Sequence, residues 1–173
     1  MNLAFASPRW SRHVARLAVA ATLAVLVLGC RESGEAEEGE EHAAAEADTA
    51  QYLTPYGPPT RPFSPAVRVG DLIFLSGQVG ADAAASGGLV AGGIEAETRQ
   101  ALDNIKQVLT DIGSSMDHVV KCTVMMADMK EWDRMNAIYT TYFAPGRLPA
   151  RSAFGANGLA LGARVEIECV ASA

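Results

Sequence analysis

The chain has 173 residues, with 20 acidic and 14 basic, for a formal net charge of −6. Eight of the acids fall between Arg31 and Ala50 against one base, so the part from Gln51 onward, with twelve acids and ten bases, is close to neutral. That part has no basic patch, which disfavours nucleic-acid binding, and no metal-ligand spacing: His118 stands alone and there is no CxxC.

The first 29 residues have the pattern of a targeting segment. Arg9, Arg12 and Arg16 form a basic start, and Leu17 to Leu28 is uncharged and too short for a comfortable membrane span. It ends in Val27-Leu28-Gly29-Cys30, which resembles the lipobox of bacterial lipoproteins. That resemblance implies a cleaved leader (1–29), a lipidated Cys30 and a lipid anchor on the periplasmic side of the cell envelope. Arg31, where an aspartate would mark inner-membrane retention, favours the outer membrane. Residues 30–50 are Glu-, Ala- and Gly-rich, too poor in apolar side chains to fold, and read as a solvated tether.

The folded domain is assigned to 51–173, opening with an extended, irregular arm (51–65) that carries five prolines. Ala66–Val69 and Leu72–Ser76 flank Gly70-Asp71 and read as a hairpin. Ile94–Ile112 is the clearest helix: Leu102, Ile105, Leu109 and Ile112 recur at helical spacing, and Gly113 stops it. Val119–Ala127 reads as a strand, Met129–Phe143 as a second helix with Trp132, Met135, Ile138 or Tyr139, and Tyr142 on one stripe, and Ser152–Phe154 and Arg164–Ala171 as the last strands. The order ββ-α-β-α-ββ gives two helices, enough to cover one face of a sheet. The other face is partly apolar and is expected to meet further subunits. Cys122 and Cys169 fall in apolar strand runs and are expected to be buried free thiols, although spacing cannot show whether their sulfurs meet.

Two residues stand out chemically. Arg151, in Pro149-Ala150-Arg151-Ser152, can clamp a small carboxylate with two parallel N–H bonds. Glu166, in Val165-Glu166-Ile167-Glu168, can hold or deprotonate a water. Together they suit hydrolysis of a small amino-acid derivative without metal or cofactor. Ser76 lacks visible His–Asp partners, so serine-hydrolase chemistry is not expected. Trp132 and Met125-Met126 read as core.

Val69-Gly70-Asp71-Leu72-Ile73-Phe74-Leu75-Ser76-Gly77-Gln78, Gln100 to Ile105, Val120 to Val124, Asn136 to Tyr139, Pro149 to Ser152 and Val165 to Glu168 follow one another in that order. They give Phe63 to Ala171 a resemblance to the Rid family of reactive imine/enamine deaminases, also called YjgF-type proteins. It implies an α+β, chorismate-mutase-like mixed sheet with two helices on one face, a homotrimer, and sites between subunits. It implies hydrolysis of small 2-imino or 2-enamino acids to 2-oxo acids and ammonia, with no cofactor. Matched residue by residue, Arg151 binds the carboxylate, Glu166 places the water, Ser76 and Gly77 line the pocket, and Asn136 supports it. Phe63 stands where the family usually has a tyrosine, and Ala153 where it has a cysteine two residues after the arginine. The alternative is a non-catalytic trimeric binding module for small carboxylates in the envelope.

Overall fold

The computed structural model describes residues 49–58, 60–82 and 87–173. The leader, Cys30 and nearly all of the tether therefore lie outside the described residues.

Among the described residues the domain has seven strands and two α-helices: β1 (Gln51–Leu53), β2 (Ala66–Val69), β3 (Leu72–Leu75), β4 (Gln78–Val79), α1 (Gly93–Asp111), β5 (Val119–Met126), α2 (Trp132–Tyr139), β6 (Ala150–Gly155) and β7 (Val165–Ser172). The strands form one sheet in the order β1-β2-β3-β7-β5-β6, with β4 also paired to β7. β5 and β6 are parallel and the other pairs antiparallel, so the sheet is mixed. The expected two-helix α+β architecture is what the chain adopts.

Alternation within the strands builds the core. Val165, Ile167, Cys169 and Ala171 on β7, and Cys122, Val124 and Met126 on β5, turn inward and are buried. Against them pack Ile94, Leu102, Ile105 and Leu109 of α1 and Met135 and Tyr139 of α2. The opposite face carries Leu72, Phe74, Val120 and Phe154, which are 42%, 46%, 47% and 49% exposed. These apolar side chains are what would be covered by another subunit.

Three expectations need correction. The arm is not wholly irregular: Gln51–Leu53 pairs antiparallel with Arg68–Ala66 and adds an edge strand before the prolines begin. The second helix is not continuous. A 3-10 turn at Met129–Glu131 leads into α2, and another at Thr140–Tyr142 follows it. The Asp128 carboxylate accepts the Lys130 N–H at the start of this run, a local competitor of regular helical bonding.

The third correction concerns the cysteines. Cys122 and Cys169 are joined in a disulfide, not held as free thiols. The antiparallel register of β5 and β7 sets them directly opposite, with Cα atoms 4.1 Å apart, and both face the core. Strand register, a non-local property, brings the two sulfurs together.

Two further contacts fix the segments that lead to the candidate site. Asn104 of α1 donates to the carbonyls of Val79 and Ala81 at 3.2 and 2.9 Å, holding β4. The buried Glu97 carboxylate accepts the Arg164 N–H at 2.8 Å, just before β7. Gly80, just after β4, packs close to α1 at Glu97, where a β-carbon would meet Glu97 Cα at 2.5 Å.

Candidate active site

The residues singled out in the sequence gather into two groups. Arg151 is the centre of the first. β6 pairs in parallel with β5, Arg151 opposite Cys122, so the half-buried Arg151 points to the helix-covered side of the sheet. There its Nη1 donates to Asn136 Oδ1 at 2.9 Å. Its guanidinium carbon lies 5.0 Å from the centre of the Trp132 ring and 4.6 Å from that of Tyr139. Trp132, read as core, is half-buried and serves as part of this platform. The only signal for it in the sequence was the spacing of Trp132, Asn136 and Tyr139 along one helical face.

Among the described residues, Arg151 has no carboxylate within ion-pairing distance. Asn136 uses one of its N–H donors, and a guanidinium has five. A half-buried cation with unused, fork-shaped donors is suited to a small planar anion.

The second group contains Glu166, Gly77, Ser76 and Phe63. Glu166 stands opposite Val79 of β4 and Met125 of β5. Its carboxylate lies against Gly77, where any β-carbon would overlap Glu166 Oε1. Ser76 follows β3; its hydroxyl donates to Ser64 O at 2.7 Å and its N–H to Pro65 O at 3.0 Å. These two bonds hold the arm, and with it Phe63 next to Ser64, beside the end of β3. The Ser76 hydroxyl thus acts as a strand-end donor. Phe63 is 46% exposed, with Arg61 over its ring at 6.0 Å.

Strand register decides how the two groups relate. Arg151 pairs with Cys122 and Glu166 pairs with Met125. Cys122 and Met125 are three residues apart on β5, an odd number, so they face opposite sides. Arg151 and Glu166 therefore lie on opposite faces of one sheet, with β5 between their strands. A single chain does not bring them together.

Gly77 yields a test of the second group. Gly77→Ala must push the Glu166 carboxylate aside. Turnover is expected to fall roughly 10- to 100-fold, the scale of an ångström-sized misplacement, with the unfolding midpoint little changed. Steady-state kinetics beside urea unfolding check this.

Tyr139 yields a second. Burial pushes its phenol up to about 12 from 10.0, against the opposing pull of Arg151. It is neutral at neutral pH and cannot be a general base there. The folded pKa lies above the unfolded one, so the linked stability is present below pH 10 and is lost as pH rises through 10 toward 12. Tyr139→Phe should flatten the fall in urea midpoint across that window; an unaltered slope would count against it.

Fold and site together define a small α+β domain with exposed apolar side chains on one sheet face and, on the other, a half-buried arginine with no ion-paired carboxylate among the described residues. The family model described as Endoribonuclease L-PSP matches residues 55–173, and the chain belongs to that family, the Rid or YjgF group. It is 48% identical over 110 residues to the 2-iminobutanoate/2-iminopropanoate deaminase of Mus musculus, covering 64% of this chain and 80% of that one. The human protein of the same name is 44% identical over 110 residues, covering 64% and 79%. Among solved structures, the Rid-family protein YyfA of Yersinia pestis superposes with a TM-score of 0.65 at 34% identity, covering 72% of this chain and all of that one. RidA from an Antarctic Psychrobacter superposes at 0.63 with 30% identity, covering 70% and 98%.

Proposed function

We propose that this protein hydrolyses small 2-imino and 2-enamino acids, such as 2-iminobutanoate, to the 2-oxo acid and ammonia. The observation that carries this is Arg151: a half-buried guanidinium, stacked and hydrogen-bonded, with no carboxylate of its own among the described residues. Identity of 44–48% to mammalian proteins named for this reaction supports the same reading.

In this mechanism Arg151 grips the substrate carboxylate and fixes the C=N carbon. A water held by Glu166 attacks that carbon of the protonated imine, and Glu166 takes up the water proton. The C=N π pair becomes the lone pair of a neutral amine, giving a carbinolamine. Glu166 returns the proton to that nitrogen, the C–N bond breaks with its electron pair leaving on ammonia, and the hydroxyl proton passes to Glu166 as C=O forms. Imines hydrolyse unaided, so orientation and a placed water are all that the site must supply.

Since Arg151 and Glu166 occupy opposite faces, the site forms between copies in a homotrimer. β6 ends the strand order, so Arg151 lies near a sheet edge. The face bearing Glu166 is also the face with exposed Leu72, Phe74, Val120 and Phe154. A neighbouring copy docked on that apolar face can bring its Arg151 to this chain's Glu166. The sedimentation mass tests the assembly: a monomer at micromolar concentration would refute it.

The same proposal places the protein in the cell envelope, anchored through Cys30. The leader and the lipobox-like Val27-Leu28-Gly29-Cys30 support it, as does the Cys122–Cys169 disulfide, a bond that persists in oxidising compartments. Cys30→Ala is expected to abolish fatty-acid labelling and release the chain from membranes; unchanged labelling would defeat the anchor.

The decisive assay for activity follows decay of freshly generated 2-iminobutanoate. Acceleration over buffer is expected. Decay at the buffer rate, together with binding of 2-oxobutanoate, would favour the carboxylate-binding module instead.

A further inference from the structure

α2 gives Arg151 more than one hydrogen bond. Trp132, Asn136 and Tyr139 are spaced by four and then three residues, so they share one helical face. All three meet Arg151, Asn136 through its amide oxygen and the other two through their ring faces. We infer that Trp132 and Tyr139 are positioning residues for Arg151, a pair of rings that sets the plane of the guanidinium while Asn136 fixes its rotation within that plane. This deepens the proposed function and rests on Arg151 being the carboxylate clamp.

The physical reason lies in what each kind of partner consumes. An arginine on a strand has several rotatable bonds, and a clamp that must be frozen on each binding event binds weakly. A carboxylate could hold it, but would occupy the fork and cancel the charge meant for the ligand. An aromatic face holds the same cation from above, leaving the in-plane N–H donors and the net charge free. Asn136 takes one donor and adds no charge. The Tyr139 hydroxyl is buried and has no hydrogen-bond partner among the described residues. The ring, then, is what Tyr139 offers Arg151. Aliphatic residues at 132 and 139 would fill the same space without orienting the guanidinium.

The test uses the full-length chain carrying Trp10→Phe, which leaves Trp132 as the one tryptophan. Arg151→Ala should change the emission of Trp132 with no ligand present, because the stacked cation is removed. Trp132→Leu and Tyr139→Leu should each raise KM for 2-iminobutanoate and the calorimetric Kd for 2-oxobutanoate roughly five- to thirtyfold. At saturation, kcat should stay within about threefold, since binding is lost in ground and transition state alike. Trp132→Phe and Tyr139→Phe should recover most of the loss. In an Arg151→Ala background, Trp132→Leu should add nothing to the Kd.

Unchanged Trp132 emission in Arg151→Ala would overturn the inference. So would wild-type affinity in the leucine variants, phenylalanine variants as poor as leucine, or a full Trp132→Leu effect without Arg151. Failure of the underlying activity looks different. The parent chain would leave imine decay at the buffer rate, while Trp132 emission still responded to Arg151→Ala.

Discussion

Arg151→Ala is expected to lower kcat/KM for 2-iminobutanoate roughly 10²- to 10⁴-fold. Two charge-assisted hydrogen bonds are lost, each worth about 1.5–3 kcal/mol, and every 1.4 kcal/mol is about a factor of ten. Fold and assembly should survive, because Arg151 is half-buried and gives up one neutral-acceptor bond and two ring contacts. Arg151→Lys should not restore the rate. An ammonium is a point charge that cannot offer two parallel donors or present a flat face to Trp132 and Tyr139. Steady-state kinetics with circular dichroism on the same samples check the expectation. A wild-type rate in Arg151→Ala would remove the clamp from the mechanism.

Loss of the Cys122–Cys169 disulfide should have the largest effect on stability. The bond links positions 47 residues apart, and closing a loop of that length restrains the unfolded chain by about 4 kcal/mol in the loop-entropy account. Cys122→Ala with Cys169→Ala should therefore cost about 2–4 kcal/mol and lower Tm by about 10–20 °C at fixed protein concentration. Both cysteines are buried, at 1% and 2% exposure, so a mild reductant should act only on chains that have already opened. Calorimetry of the wild type, oxidised and fully reduced, against the double variant checks this. An identical Tm for oxidised and reduced wild type would contradict it.

The parts of this molecule legible in the sequence are those set by local spacing. The hairpin around Gly70-Asp71 and the α1 stripe of Leu102, Ile105 and Leu109 follow from periodicities of two and 3.6. The alternation Val165, Ile167, Cys169 against Glu166, Glu168, Val170 likewise separates the buried face of β7 from the other by a period of two. β1 was hidden because its three residues precede a proline-rich run and gain strand character only by pairing with β2. The disulfide was hidden because it depends on which residues of β5 and β7 stand opposite.

The site was half legible for the same reason. Arg151 and Glu166 carry chemistry wherever they sit, so residue type and motif pointed to them. Their placement on opposite faces depends on β5 lying between β6 and β7 and on the odd offset between Cys122 and Met125. The roles of Trp132 and Tyr139 appear only once β6 lies beneath α2, since a helical aromatic stripe looks alike whether it covers leucine or arginine.

The most direct test of the central claim, that Arg151 and Glu166 of different copies form one hydrolytic site, is complementation. Arg151→Ala and Glu166→Gln chains, separately tagged, are co-expressed at equal levels, and mixed trimers are purified alongside each parent. Each parent should be close to inactive toward 2-iminobutanoate. In a mixed trimer of either ratio, about a third of the inter-subunit sites pair an intact Arg151 with an intact Glu166. The account predicts recovery of about a third of the wild-type rate. Mixed trimers no faster than the parents would contradict it.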